Sequence, residues 1–340
     1  MRIAIHNNKI GFTNRWVDYC EKSKIDYKLV NCYDNDIINQ LEDCDALMWH
    51  HWQVNSKDII KAKRLLLALE HAGKIVFPDF KTNWHFDDKT AQKYLLESLK
   101  LPLVPTYHFV EKEEALDWAS KVEYPKVFKL TRGAGSANVR LVNSRNQAEK
   151  IIKKAFSSGF KVFDRFGSLK ERFRFFKEGK ETLLGVLKSV YRVFIEPTYS
   201  KVTPKERYEV CFQEFIPKNE FDIRVIVVQN KAFAIKRIVR QNDFRASGSG
   251  NIFYEKEHFD LNLIKDSFAY AEKLKMQVVA FDFIFDENSK PLIVEVSYGY
   301  AIDGYNSCVG YWDNELNFYE GKFDSCEWMV DLILNKKRND

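Results

Sequence analysis

Two apolar runs in the last quarter of the chain each contain one acidic residue, and this pattern constrains the fold more than any other. Asp282 lies between Phe281 and Phe283, and Glu295 follows thirteen residues later in the run Leu-Ile-Val-Glu-Val-Ser. Both runs predict buried strands, and the polar residues 286–291 between them predict a turn. The two strands are therefore expected to be neighbours that hold two carboxylates side by side.

A buried carboxylate is costly unless it has a partner, because its charge is removed from water. A divalent cation is the partner that this pair suggests. Mg2+ prefers oxygen ligands and is usually bound through one or two carboxylates and the phosphates of a substrate. The alternative is a strand pair whose acids face solvent, and the pair alone does not decide between the two.

Length and composition predict a globular protein of two or three domains, since 340 residues that are 45% hydrophobic can bury a large core. The first residues form neither the apolar region of a signal peptide nor a membrane-spanning run. A soluble, cytoplasmic protein is therefore expected. The six cysteines are dispersed without a Cys-x-x-Cys pair, which argues against a redox centre or a zinc site.

Positive charge is concentrated between Lys161 and Arg192, where nine Lys and Arg face four Asp and Glu, a surplus equal to the net charge of +5. One interpretation is a solvated basic face. The other is attraction of an acidic ligand such as a nucleotide or a sugar acid. Nucleic acid is the less favoured partner, because the aromatic residues of this stretch are equally compatible with a core.

The first 85 residues predict an α/β unit. Short apolar runs indicate strands, and amphipathic stretches indicate helices between or after them. The predicted strands are 2–6, 27–30, 45–49 and 74–78, and the predicted helices are 13–23 and 57–72. No Gly-x-Gly-x-x-Gly follows the first strand, so a dinucleotide fold is not indicated. His50, His51 and Trp52 follow the third strand, where they are expected to be structural more often than to line a ligand cleft.

The pattern changes after residue 86. A helix that ends near Leu99 is followed by the proline-containing connector 101–106, which indicates a domain boundary. A helix over 113–121 and a strand over 124–130 come next. The small-residue loop 131–138 then leads to the strand 139–142. Such a hairpin can place backbone N–H groups close to phosphates.

The basic segment 160–208 has no clear periodicity and is expected to be an insertion or an extended lobe. Regular patterns return after it. They predict strands over 209–216, 222–228 and 232–239, a glycine-containing loop over 242–250 and a helix over 260–274.

Taken in order, these motifs resemble the ATP-grasp superfamily, in the branch that includes the glutamate-adding ligase of ribosomal protein S6 and glutathione synthetase-like relatives. The resemblance covers about residues 86–300 and rests on motif order. The matching motifs are Asp88-Lys89, the prolines 102 and 105, Pro125 to Lys129 with its loop, Gln213 to Ile216, Asp222 to Val225, Lys236-Arg237, Asn242 to Arg245, Asp282 and Glu295.

The resemblance implies a fold of α/β and α+β parts. It consists of an N-terminal α/β (pre-ATP-grasp) domain, a central lid lobe and a C-terminal lobe, with ATP bound between the last two. In this chain the expected domains are 1–85, then 86–212 with the basic insertion at about 160–208, then 213–340 with the metal site.

The resemblance also implies roles for individual residues. Lys129 and Lys89 would contact the ATP phosphates, as would the loop residues Gly133, Gly135 and Ser136. Adenine would be bound by Gln213, Glu214, Phe215 and Ile216, and ribose by Asp222. Arg237, Arg245 and Asn242 are the candidate catalytic residues at the phosphate being transferred, and Arg237 is also a candidate for binding the triphosphate. For each residue the alternative is an ordinary structural role in a strand, a surface ion pair or a turn.

The expected metal ligands are Asp282, Glu295 and Ser297, and the expected cofactors are ATP and Mg2+, with two ions and with Mn2+ as a substitute. Most relatives have Asn at the position of Ser297, which implies a looser or differently coordinated second ion. A serine hydroxyl can still ligate the metal or hold a water.

The resemblance therefore implies a carboxylate–amine ligase that forms an amide through an acyl-phosphate. Its partners would be a small-molecule carboxylate and an amine, with an acidic small molecule or a sugar acid of a surface polysaccharide as the suggested acceptor. A homo-oligomer is compatible with the sequence. Two alternatives stay open: a catalytically reduced ATP-binding regulator, and a kinase-like phosphotransferase that stops at phosphate transfer.

Overall fold

The structure is a computed structural model in which three β-sheets and their helices form the fold. It describes residues 1–8, 11–133, 138–163, 182–195, 197–239 and 251–336, with the single residues 167, 169, 172, 173, 176 and 245.

The N-terminal sheet has four parallel strands in the order β2-β1-β3-β4. The elements of this unit are β1 (Ile3–His6), α1 (Thr13–Lys22), β2 (Tyr27–Val30), α2 (Ile37–Gln40), β3 (Ala46–Met48), α3 (Ser56–His71), β4 (Ile75–Phe77) and α4 (Phe80–Asn83). Trp16 and Trp49 are fully buried against the sheet. The predicted α/β unit is confirmed, with each predicted strand and helix found to within two residues.

The second sheet is antiparallel, with the order β5-β8-β6-β7. Its elements, with α5 before them, are α5 (Lys89–Ser98), β5 (Thr106–Phe109), α6 (Lys112–Lys121), β6 (Lys126–Lys129), β7 (Arg140–Val142), α7 (Arg145–Ala155), α8 (Leu183–Phe194), α9 (Thr198–Val202) and β8 (Val210–Glu214). Small residues on α6 and α7 pack with Phe128 and Phe212 in one core. Because β6 and β8 are antiparallel neighbours, Lys126 at the start of β6 lies opposite Glu214 at the end of β8.

The third sheet has seven strands, ordered β13-β12-β9-β10-β14-β15, with β11 paired to β10. Its elements are β9 (Phe221–Val228), β10 (Lys231–Ile238), β11 (Ile252–Phe253), α10 (Leu261–Leu274), β12 (Val278–Phe285), β13 (Pro291–Ser297), β14 (Gly310–Asp313), β15 (Phe318–Glu320) and α11 (Ser325–Lys336). The turn predicted at 286–291 is confirmed by the hydrogen bond from the Asp286 N–H to the Lys290 carbonyl, 3.0 Å.

Both faces of the third sheet are covered, which explains its long apolar runs. On one face Val225 and Phe281 pack with residues of α5 and α10. On the other face Ile226 and Ala280 share a core with the N-terminal sheet and α11. Successive strand residues alternate between faces, so Asp282, two residues after Ala280, lies on the face that meets the N-terminal sheet. That face is apolar where the N-terminal sheet packs and charged beyond it.

Helix α8 was not predicted, because the segment 160–208 showed no period. Its apolar residues nevertheless recur at helical spacing, so this helix could have been found from the sequence. Helix α9 packs on α3 and connects the segment to the N-terminal unit. In the described part of the chain no helix is long and apolar enough to cross a membrane.

Candidate active site

A cavity of about 410 Å3 lies between the three sheets. Its walls come from the residues after β3, from β6 and the loop after it, from the segment after β8, and from the charged end of the third sheet. Many of the residues that the sequence singles out line it. They are Lys89, Lys129, Gly133, Gln213, Glu214, Phe215, Ile216, Asp222, Arg245, Asp282, Glu295 and Ser297. Arg237 lies beside them, while Gly135, Ser136 and Asn242 lie outside the described residues.

The two acids of the strand pair are direct neighbours. β12 and β13 are antiparallel, and Asp282 is the register partner of Glu295. The register shifts between Asp282 and Phe283, so the pair lies at a β-bulge. The expected adjacency of the two carboxylates is confirmed, and both reach the cavity.

Asp282 has cationic partners within the chain itself. A divalent cation is the partner that the sequence suggests for the acid pair, and the structure adds two arginines that bind Asp282. Arg224, its register partner on β9, donates from Nε and from Nη2, the latter at 2.6 Å. Arg237 brings Nη2 to 3.1 Å. Burial acts to raise the pKa of Asp282, but the two guanidinium groups hold that pKa well below its usual range.

A second buried pair continues the charged row. Arg237 on β10 donates from Nε and Nη2 to the two carboxylate oxygens of Asp222, both at 2.7 Å. The two residues are register partners on β9 and β10. Burial raises the pKa of Asp222 in spite of Arg237. The end of the sheet therefore carries three acids and two arginines on four neighbouring strands.

Glu295 differs from the other acids of this row. Among the described residues no Lys or Arg lies within ion-pair distance of its carboxylate, whereas Asp222 and Asp282 each have a guanidinium partner. The described part of the chain holds no group of three or more His, Cys, Asp and Glu side chains that could bind a metal alone. A cation here would therefore depend on Glu295, on the remaining lone pairs of Asp282 and on oxygen atoms of a ligand.

Lys129 ends β6 on the opposite wall. Its ammonium group is buried and donates to Oε1 of Gln213 at 2.5 Å. Burial lowers the pKa of Lys129 to about 8, although Glu295 acts to raise it. This electrostatic effect of Glu295 means that the lysine and the acid pair act on one another across the cavity.

The base of the small-residue loop is held from the start of α5. Lys89 donates from Nζ to the Gly133 carbonyl at 2.9 Å, and the Gly133 N–H donates to Oδ1 of Asp87 at 2.8 Å. Gly133 has φ +111°, a conformation that side chains rarely adopt. Lys89 thus contacts the small-residue loop, which is the candidate phosphate-binding loop, through the Gly133 carbonyl group.

Glu206, which the sequence analysis did not select, holds the same loop from the other side. Its carboxylate accepts from the backbone N–H of Thr131 at 2.6 Å and of Arg132 at 3.2 Å. Burial raises the pKa of Glu206. The end of the basic insertion is therefore bonded directly to the loop that follows β6.

The segment after β8 forms the edge of the cavity between the second and third sheets. The Glu214 N–H donates to the Pro105 carbonyl at 2.9 Å, and the Glu214 carboxylate receives Nζ of Lys126 at 2.7 Å. Gln213 donates from Nε2 to Oγ1 of Thr106 at 3.1 Å. Because the Glu214 carboxylate is already bound to Lys126, a ligand at this edge would contact Phe215 and Ile216.

The N-terminal unit contributes two neutral histidines to the cavity. Nδ1 of His50 accepts from the Phe12 N–H at 3.0 Å, and the His50 ring stacks on Phe12. His51 shares a hydrogen bond of 2.8 Å with Asn83. Burial lowers the pKa of His50 well below its usual value and that of His51 to about 3. With Nδ1 as acceptor, His50 carries its proton on Nε2. These residues are held structurally and also line the cavity.

Ser297 lies at the cavity with its hydroxyl group engaged locally. The hydroxyl donates to the Gly299 carbonyl at 2.9 Å and accepts from the Gly299 N–H at 3.2 Å. The two bonds leave it one lone pair at most for a metal or a water.

One residue of this site could have been found from sequence periodicity. Arg224 lies two positions after Asp222 on a predicted strand, so the two share a face. Glu206 carries no such signal, because it lies in the segment without a period.

Comparison with known proteins gives two family matches. Residues 191–311 match the RimK-like ATP-grasp domain, and residues 88–188 match the ATP-binding domain of the carbamoyl-phosphate synthase L chain. Urea amidolyase of Lachancea kluyveri is 33% identical over 86 residues, which cover 25% of this chain and 5% of that protein. The chain thus spans a small fraction of the curated relative that it matches.

Solved structures match over almost the whole chain. A RimK-domain ATP-grasp protein of Sphaerobacter thermophilus is 15% identical with a TM-score of 0.57, covering 98% of this chain and 100% of that one. D-alanine–D-alanine ligase of Bacillus anthracis, in complex with ATP, is 14% identical with a TM-score of 0.55, covering 100% of this chain and 98% of that one. These similarities show a shared fold.

Proposed function

This chain belongs to the ATP-grasp superfamily, and we propose that it is an ATP- and Mg2+-dependent carboxylate–amine ligase. One observation carries the proposal. A single cavity brings together a buried lysine, a glutamate that has no Lys or Arg within ion-pair distance among the described residues, and a row of paired arginines and aspartates. This set of charges suits a triphosphate with its metal ion and a second anionic group beside it.

The proposed reaction transfers the γ-phosphoryl group of ATP to an oxygen of the substrate carboxylate, giving an acyl-phosphate and ADP. The amine nitrogen then attacks the acyl carbon. A new C–N bond forms, the C–O bond to phosphate breaks, and the amine loses a proton as phosphate leaves. Activation is needed because a carboxylate resists nucleophiles.

Residues on both sides of the cavity would hold the nucleotide. Lys129 and Lys89 would bind phosphate oxygens, as would the loop that contains Gly133. The segment from Gln213 to Ile216 would bind adenine. Asp222 would accept ribose hydroxyl groups through lone pairs that Arg237 leaves available.

The donor set fits Mg2+, which prefers carboxylate oxygens and phosphates. Glu295 and Asp282 would hold the ion, with Ser297 nearby in place of the more usual Asn. Bound there, the ion would neutralise charge on the phosphates. We propose that two Mg2+ ions bind, as the resemblance to the ATP-grasp superfamily implies, and that Mn2+ can replace them.

Arginines would stabilise the phosphoryl group and the acceptor. Asp282 and Asp222 hold Arg224 and Arg237 in place, so the two guanidinium groups would need little movement during the reaction. Arg245 lines the same cavity. The acceptor would lie towards the N-terminal wall, near His50. Its class is a small acid, and a uronic acid of a surface polysaccharide is one candidate.

Release of ADP tests the function. Purified protein is supplied with ATP, Mg2+ and a panel of carboxylates, each with and without amines. Release that requires both a carboxylate and an amine supports the ligase. Release without amine, together with a stable phosphorylated product, would instead identify a phosphotransferase.

A regulator that binds ATP without turnover is the second candidate. The observation that favours it is the engagement of the Ser297 hydroxyl with Gly299, where a metal-binding Asn is usual in relatives. Tight ATP binding without ADP release under every condition of the panel would support it.

The pKa of Lys129 predicts a pH dependence of ATP binding. This pKa is lowered to about 8, so the ammonium is charged at neutral pH and loses its charge as the pH rises through 8. Affinity for ATP should then fall by up to about tenfold per pH unit above 8. Calorimetric titration of ATP at several pH values measures this.

Two variants of Lys129 serve as controls for this prediction. Lys129→Arg stays charged throughout and should show a flat profile above pH 8. Lys129→Ala should bind ATP more weakly at every pH and should also lose the dependence. An ATP affinity that Lys129→Ala leaves unchanged would remove this lysine from the nucleotide site.

A further inference from the structure

Helix α8 presents a broad apolar face to solvent. Leu184 is 69% exposed, Tyr191 61%, Leu183 60% and Leu187 54%. Their spacing places them on one side of the helix. Val186, which lies at the edge of this apolar side, is buried. Most of the apolar side is therefore exposed among the residues that the structure describes.

This apolar face lies in the most basic part of the chain. Residues 161–208 contain twelve Lys and Arg and six Asp and Glu, whereas the remainder of the chain has 41 basic and 42 acidic residues. Lys188, in the helix itself, is exposed. Two further aromatic residues of the segment, Phe173 and Phe176, are 49% and 39% exposed. Positive charge, leucine and aromatic side chains thus occur together on one segment.

We propose that α8 binds the surface of an anionic lipid bilayer. The leucines and Tyr191 would enter the boundary between head groups and acyl chains, and Lys188 would lie next to anionic head groups. The helix has 12 residues, far fewer than a span requires, so it would lie in the plane of the surface. This proposal does not depend on the ligase activity.

Charge favours a lipid surface over a second copy of the chain. Two copies that met through α8 would bring two segments of the same surplus positive charge together, and like charges oppose such contact. An anionic bilayer offers both an apolar layer and the complementary charge.

Co-sedimentation with vesicles tests the proposal on the full chain. Vesicles of equal parts phosphatidylserine and phosphatidylcholine should bind the protein at least about tenfold more tightly than vesicles of phosphatidylcholine alone. Added salt should weaken the binding. The double variant Leu184→Glu, Leu187→Glu should lose it. The matched control Leu29→Glu, Ile38→Glu changes two exposed residues of the N-terminal unit, 46% and 52% exposed, and should bind as the wild type does.

Several outcomes would overturn the proposal. One is absence of wild-type binding, and another is equal binding by both double variants. A third is a wild-type dimer in sedimentation velocity that the α8 variant converts to monomer, which would make a second copy the occupant. Circular dichroism and ATP binding check that each variant is folded. If the double variant does not fold, the milder Leu187→Ser replaces it, with the same loss of vesicle binding expected.

Discussion

Glu295→Gln should reduce Mg2+-dependent turnover of ATP at least about a thousandfold while leaving the fold intact. Asp282 shares its charge with two guanidinium groups, so Glu295 supplies the charge that remains available to a cation. Glutamine has nearly the same volume and keeps one oxygen, but it removes that charge. Steady-state ADP release measures the effect, and circular dichroism and thermal unfolding confirm the fold.

The same substitution at Glu287 is the matched control. Glu287 is exposed in the turn between β12 and β13, so Glu287→Gln alters an acid of the same hairpin outside the cavity. It should turn over ATP at the wild-type rate. If Glu295→Gln also kept turnover within about threefold of wild type, Glu295 would not be a metal ligand.

Asp282→Asn should lower the free energy of unfolding by about 3 kcal/mol. The carboxylate is buried and neutralises Arg224 and Arg237, and asparagine would leave those guanidinium groups with one negative partner, Asp222. Removal of one partner from a buried ion pair leaves an uncompensated buried charge. This lowers the free energy of unfolding by more than the intact pair adds to it. Urea unfolding followed by fluorescence measures the change.

The same variant has a predicted pH dependence. The pKa of Asp282 is lower in the folded protein than in the unfolded chain, where it is about 3.9. The ionised group therefore stabilises the fold above that value, and this contribution is lost as the pH falls through the folded-state pKa. The difference between wild type and Asp282→Asn should be constant above about pH 5 and should shrink below about pH 4.

Asp18→Asn is the control for these unfolding measurements, because Asp18 is exposed on α1. Its effect should stay within about 0.5 kcal/mol. A comparably small effect of Asp282→Asn at neutral pH would show that the fold does not need this carboxylate to neutralise the two arginines.

The features that could be predicted from the sequence are those that short stretches of residues mark. Each strand of the hairpin that carries Asp282 and Glu295 is marked by its apolar run, and the short turn between them makes the two strands neighbours. The α/β pattern of the first 85 residues is equally local. The ATP-grasp fold was predicted from motif order, and the comparisons confirm it.

The parts that were missed depend on contacts between distant residues. Arg224 and Asp282 are 58 positions apart and meet only because β9 pairs with β12. The sequence therefore did not reveal the two arginines that bind Asp282. Glu206 reaches Thr131 across 75 positions, from a segment without a recognisable period. Helix α8 is an exception, because its apolar residues recur at helical spacing and could have been found from the sequence.

We propose that Glu295 and Asp282 hold a cation beside a triphosphate bound by Lys129. Crystals soaked with Mn2+ and a non-hydrolysable ATP analogue would test this, because the anomalous signal locates the ion. We expect a manganese peak between the two carboxylates, with the analogue in the cavity and its phosphates at Lys129. A peak away from both acids, or an analogue bound outside the cavity, would contradict it.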